Sequence, residues 1–208
     1  LAGIKPRLEL AVAGGIARAA HDLDAIEFHT LFTEPSRRLR AFVKQFDRVI
    51  VWMRDPDGAI MRGLRGCGIA RVEVFAGLPD AHWIRHASAY YAECLGFGEL
   101  PPLRLNIAAS GAPLDVVIHP GSGSAKKNWP LEKFRDVARG FVSKGRRVTW
   151  CLGPAEIERK LDRELSGEVL RGDSLVKLAS RLAAAKLYIG NDSGITHLAA
   201  ALGVPTVA

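Results

Sequence analysis

Apolar positions along this chain alternate between short runs rich in β-branched residues and longer stretches with helical spacing, the two periods that separate strands from helices. In the second half the alternation is regular. Residues 114–119, 147–152, 168–170, 187–190 and 205–207 read as strands, and 131–144, 155–165, 175–184 and 195–202 as helices. Pro130 suits a first helical position, Ser174 an N-cap and Gly145 a C-cap. Strict βα alternation with short loops predicts a parallel sheet covered on both faces. Ligands of such sheets bind at the carboxyl ends of the strands.

The first half is less regular. Residues 8–12, 25–29, 49–53 and 71–75 read as strands, and 15–20, 37–46, 60–64 and 82–95 as helices. Ser36 is an N-cap candidate, and Leu39, Phe42, Val43 and Phe46 share one face of the helix after it. Residues 98–113 carry Pro101, Pro102, Gly111 and Pro113 without periodicity, which predicts a boundary. Two α/β domains are therefore expected, 1–110 and 111–208. The chain opens on Leu1 and stops at Val207-Ala208 inside an expected strand, so it is expected to be part of a longer polypeptide.

With 48% apolar and 25% charged residues over 208 positions, the composition is that of a folded globular protein and excludes intrinsic disorder. No run approaches the roughly 18 consecutive apolar residues of a membrane-spanning helix. Cys67, Cys94 and Cys151 are odd in number and far apart, which points to a reducing compartment. Cys94 and Cys151 lie on apolar faces and read as buried thiols. The net charge is +7, and residues 111–208 hold 15 basic against 10 acidic groups while residues 1–110 hold 14 against 12. The basic excess thus sits with the glycine-rich loops, as an anionic small ligand would favour. Aromatic–basic interleaving and helix-turn-helix or zinc patterns are absent, so nucleic acid is not an expected partner.

Two loops carry candidate chemistry. His119-Pro-Gly-Ser-Gly-Ser-Ala-Lys-Lys-Asn-Trp-Pro130 follows a strand and opens a helix, where backbone N–H groups and the helix dipole favour an anion. Gly121 and Gly123 allow close backbone approach, Ser122 and Ser124 bring hydroxyls, and Lys126 and Lys127 bring charge. The GK[ST] ending of a P-loop is missing. The second loop, Gly190-Asn-Asp-Ser-Gly-Ile-Thr-His197, leads from a strand into a helix and gathers Asp192, Ser193, Gly194 and His197 at one strand end. A purely structural reading would make Asp192 an N-cap and bury His197. Two anion-ready helix starts on one sheet edge predict a diphosphate, and hence a nucleotide.

The pair HPGSGSAKKNWP and GNDSGITHLAAALGVPT, with LGPAE at 152–156 and LRGDSLVKLASRLAAAKLYIGNDSG at 170–194, resembles glycosyltransferase family 9, the ADP-heptose:lipopolysaccharide heptosyltransferases. The resemblance is specific over residues 114–208 and general in the first half. It implies a GT-B fold of two Rossmann-like domains, the first lacking its first strand and loop in this chain. It also implies inverting, metal-independent transfer from a nucleotide-diphosphate sugar such as ADP-heptose to a lipopolysaccharide core or similar glycolipid. The setting would be cytoplasmic, with peripheral association at the inner membrane and no cofactor. Carried over by position, Lys127 contacts the diphosphate or its sugar, Glu156 holds the ribose, and Asp192, Ser193, Gly194 and His197 bind the diphosphate–sugar portion. Ser122 adds a hydroxyl contact. Glu158, two residues from Glu156, competes with it for the ribose role. The family's general base, an Asp in a glycine-rich loop after the first strand, has no match here and is expected outside this chain. A nucleotide-sugar epimerase and a non-catalytic nucleotide-binding relative stand as alternatives.

Three other features have bland readings that weigh more. Asp22 with Asp24 and Asp55 with Asp57 have metal-binding DxD spacing, but Asp55-Pro-Asp57-Gly58 is also an ordinary turn sequence. His82 and His86 are four apart on an expected helix but lack the Glu of HExxH. No metal site is expected.

Overall fold

The fold is described from a computed structural model, and the described residues are 1–124, 128–172 and 174–208. Two compact units emerge. One comprises His21–Pro102 with Ala2–Ile4, here the N-terminal unit; the other, the C-terminal unit, comprises Leu103–Ala208 with Leu1 and Lys5–Ala20. The chain passes from one unit to the other at 102–103, and the early segment Lys5–Ala20 joins the later unit.

The C-terminal unit is built on five parallel strands: β5 (Val116–His119), β6 (Val148–Leu152), β7 (Glu168–Arg171), β8 (Tyr188–Gly190) and β9 (Thr206–Val207), ordered β7-β6-β5-β8-β9. Alternate residues of β5 serve opposite cores. Val116 and Ile118 pack with Phe134 and Ala138 of α5 (Leu131–Val142), while Val117 packs with Leu178 and Leu182 of α7 (Leu175–Leu182) and Leu198 of α8 (Gly194–Ala201). The apolar run at 116–118 reflects burial on both faces. Helix α5 begins at Leu131 as expected and ends at Val142, with Pro130 as its N-cap rather than its first helical residue. The expected helix 155–165 is instead a short α6 (Pro154–Glu158) followed by a 3-10 turn at Leu161–Arg163.

The segment 8–12 is helical rather than a strand: α1 spans Lys5–Ala13. It packs against α7, with Leu10 on the same core as Leu182 and Tyr188. The expected helix at 15–20 is irregular chain.

The N-terminal unit holds two parallel strand pairs, β1 (Ala2–Gly3) with β2 (His21–Asp22), and β3 (Arg48–Trp52) with β4 (Arg71–Phe75). Its core gathers Leu39 and Val43 of α2 (Arg37–Val43), Val51, Val72, and Ile60 and Leu64 of α3 (Ala59–Gly66). Ser36 caps α2 as expected, its Oγ accepting from Leu39 N at 3.1 Å. The strand expected at 25–29 does not form; Glu27 turns left-handed at φ 57° and Phe28–Phe32 is a 3-10 turn. The helix expected from residue 82 starts at Ala87 and ends at Cys94 (α4). Cys94 is partly exposed, unlike the buried Cys67 and Cys151. No helix among the described residues is long and apolar enough to cross a membrane.

Candidate functional site

Strands β5 and β8 are neighbours, yet the helices that follow them go to opposite faces. The chain therefore parts above their carboxyl ends and leaves a crevice, the usual ligand position in such a sheet. Both candidate loops lie there. The first leaves His119 at the end of β5, and the second leaves Gly190 at the end of β8, the two residues being register partners.

Beneath the first loop, His119 is buried and its Nδ1–H donates to Cys151 O at 2.8 Å. Burial holds this imidazole below its ordinary value, against the opposing pull of the Cys151 carbonyl and Glu156. Burial, with Glu156 beside it, pushes the Cys151 thiol up to about 12. That thiol stays protonated and unreactive.

Glu156 is buried on α6, and its Oε2 accepts from Gly153 N at 3.0 Å. A Cβ placed on Gly121 would overlap the Glu156 carboxylate, so the first loop passes directly against it. Glu158 is exposed. Of the two glutamates, Glu156 is the one brought to the loop. Ser122 Oγ–H is shared between Asn128 Oδ1 (2.6 Å) and Ser124 O (2.8 Å). Lys127 lies outside the described residues.

The second loop is organised by Ser193. It is the N-cap of α8, its Oγ accepting from Thr196 N at 3.3 Å. The cap is therefore Ser193 and not Asp192, and His197 is not buried: its side chain is 69% exposed. His197 Nε2 stands 3.3 Å from Asp192 Oδ1. The amides of Gly194 and Ile195 open the helix, where no carbonyl of the preceding turn can accept from them. A cleft of about 410 Å³ is lined by Gly123, Ser124, Asp192, Ser193, Gly194 and His197. Asp192, Ser193, Gly194 and His197 thus meet the first loop at one cleft.

One site residue was not singled out from the sequence. Asn191 is buried, its Nδ2–H donates to Pro120 O at 2.7 Å, and its Oδ1 accepts from Trp129 N at 2.9 Å. An Asn beside an Asp-Ser-Gly turn looks like more turn chemistry, and only the fold brings its distant partners to it.

Two of the features given bland readings have local structural roles. Asp55 accepts from Ile60 N and Met61 N, both at 3.0 Å, and so caps α3. His86 caps α4, while His82 lies before that helix. Among the described residues no group of three His, Cys, Asp or Glu is placed to hold a metal ion.

Comparison with known proteins agrees with this architecture. The family model of glycosyltransferase family 9 (heptosyltransferase) matches residues 104–208. Lipopolysaccharide heptosyltransferase 1 of Pseudomonas aeruginosa is 34% identical over 119 residues, covering 55% of this chain and 33% of that relative. The alignment thus spans about a third of the relative's length. Among solved structures, the Escherichia coli ADP-heptose lipopolysaccharide heptosyltransferase II superposes with a TM-score of 0.75 at 19% identity, over 100% of this chain and 73% of that one. The E. coli heptosyltransferase WaaC with ADP-2-deoxy-2-fluoro heptose gives 0.61 at 20%, over 99% and 76%. At such identities the superpositions show the fold alone, α/β with parallel sheets as in GT-B heptosyltransferases. The family match reaches across half of the chain and includes both candidate loops, and by it this chain belongs to glycosyltransferase family 9, the heptosyltransferases.

Proposed function

We propose that this chain supplies the donor site of a glycosyltransferase that moves heptose from ADP-heptose to a lipopolysaccharide core or similar glycolipid, with inversion and without a metal ion. The observation that carries this reading is the meeting of two loops at the crevice between β5 and β8, one at the start of α8 and one against the buried Glu156. Residues 111–208 form the donor-binding part, and residues 1–110 belong to the acceptor side.

In this reading the diphosphate lies against the Gly194 and Ile195 amides at the α8 dipole. Lys127 brings positive charge and His197 an N–H donor, and Asp192 orients His197. Ser193 shapes the helix start. Ser122 acts through the loop it holds. Glu156 accepts from the ribose hydroxyls. An acceptor hydroxyl attacks the anomeric carbon from the side opposite the diphosphate: the new C–O bond forms as the bond to the β-phosphate oxygen breaks. The proton goes to a carboxylate acting as general base. Charge grows on the departing ADP, where preorganised amides and cations stabilise it most. The setting we propose is the cytoplasmic side of the inner membrane, held peripherally.

A transfer assay with the intact protein and purified lipopolysaccharide core tests the reading. Transfer is expected from ADP-heptose, not from UDP-hexose, and at an unchanged rate in EDTA, because amides, Lys127 and His197 meet the leaving-group charge. Use of UDP-hexose alone would overturn the heptosyl specificity. Loss of activity in EDTA with recovery on Mg²⁺ or Mn²⁺ would overturn metal independence.

A further inference from the structure

We infer that Asn191 is a positioning residue that ties the two loops into a single diphosphate site, an inference that rests on the donor reading above. Asn191 directly follows β8 and is 7% exposed. Both ends of its carboxamide are spent on the first loop. Nδ2–H donates to Pro120 O, where that loop begins, and Oδ1 accepts from Trp129 N, where it ends. One side chain thus closes the first loop at both ends.

Asn191 is itself anchored to the second loop. Thr196 Oγ1–H donates to Asn191 O, the Thr196 amide is capped by Ser193, and Tyr188 OH lies 3.2 Å from Thr196 Oγ1. A shift of the first loop is therefore transmitted to the start of α8, and the reverse. The task needs a donor and an acceptor on one short planar group, which a carboxamide provides. An aspartate would keep the acceptor for Trp129 but turn a second oxygen toward the Pro120 carbonyl. Closing the loop before the ligand arrives removes an ordering cost that binding would otherwise carry.

The inference separates diphosphate recognition from nucleoside recognition. Calorimetry on the intact protein, with ADP and with adenosine, would compare wild type, Asn191→Ala, Asn191→Asp, Lys127→Ala and the Asn191→Ala/Lys127→Ala pair. ADP affinity is expected to fall about tenfold in either Asn191 variant, with adenosine affinity unchanged. In the Lys127→Ala background the Asn191 effect should shrink to less than about twofold, because a loop without its cation gains little from being positioned. Should Asn191→Ala not fold, Asn191→Asp, which retains the bond from Trp129, carries the test. Additive losses, an equal loss for adenosine, unaltered ADP binding, or failure of both variants to fold would each overturn the inference. A wild-type protein that binds no ADP would overturn the donor reading as well, and so marks that failure apart.

Discussion

Gly121→Ala is expected to cost roughly ten- to hundredfold in affinity for both ADP and adenosine, while Gly123→Ala costs almost nothing. The difference is spatial. Neither glycine has a left-handed backbone, so strain does not separate them; a Cβ on Gly121 overlaps the Glu156 carboxylate, and one on Gly123 meets nothing within 4 Å. The carboxylate is the end of a flexible side chain, so relief comes by swinging Glu156 away rather than by moving β5. That motion gives up the bond from Gly153 N, about 1 kcal/mol of stability. The larger loss falls on the ligand, since hydrogen bonds to a charged group contribute ~1.5–3 kcal/mol. Glu156→Gln, which removes charge without crowding, should reproduce the binding loss. The pattern is distinct from that of Asn191, because the ribose contact is lost with either ligand. Titration calorimetry on the three variants decides it. Wild-type affinity in Gly121→Ala would remove Glu156 from the ribose.

The second half of the fold was legible because its central strands β5 and β6 are apolar and buried on both faces, and helices such as α5 and α7 carry a single apolar stripe. In residues 116–118 and in α7 those patterns leave one reading, and the parallel sheet then follows from βα alternation. The first half lacked such patterns. In α1 the order Leu8-Glu9-Leu10-Ala11-Val12 mimics strand alternation, and what makes it a helix is tertiary, Leu10 entering the core shared with α7. At Phe28–Phe32 the chain follows a left-handed Glu27, a conformation for which that residue type gives no local signal.

The site divides along the same line. Glycines, hydroxyls and the Asp-Ser-Gly-His cluster announced loops at strand ends, since anion-binding turns need those residue types locally. Which side-chain oxygen caps α8 was not announced. Asp192 and Ser193 are both good caps, and the backbone chooses Ser193 by placing its Oγ under Thr196 N. Asn191 was invisible for a stronger reason: its partners lie 71 and 62 residues away in sequence. Long-range closure of this kind follows from the β5–β8 pairing and not from the loop's own composition.

His119 makes the C-terminal unit sensitive to acid in a window of its own. Its ring is buried at the end of β5, donating from Nδ1 to the Cys151 carbonyl. Burial lowers its proton affinity below the ordinary 6.5. In the unfolded chain the imidazole takes up a proton near pH 6.5, whereas the folded chain resists until lower pH. The unfolded state therefore binds more protons in this interval, and stability rises with pH across it. The contribution is fully present above pH 6.5 and is lost as pH falls toward the lowered folded value. Asp115 and Glu73 are also shifted, both downward, by Lys186 with Arg147 and by Arg48 with Arg71 respectively; their losses come at lower pH, below the ordinary carboxylate values. The stability of the intact protein, measured by equilibrium unfolding, should thus fall as the pH drops below 6.5. His119→Asn should flatten that interval, since its carboxamide N–H can reach the Cys151 carbonyl and does not titrate. An identical slope in His119→Asn would assign the acid sensitivity to other groups.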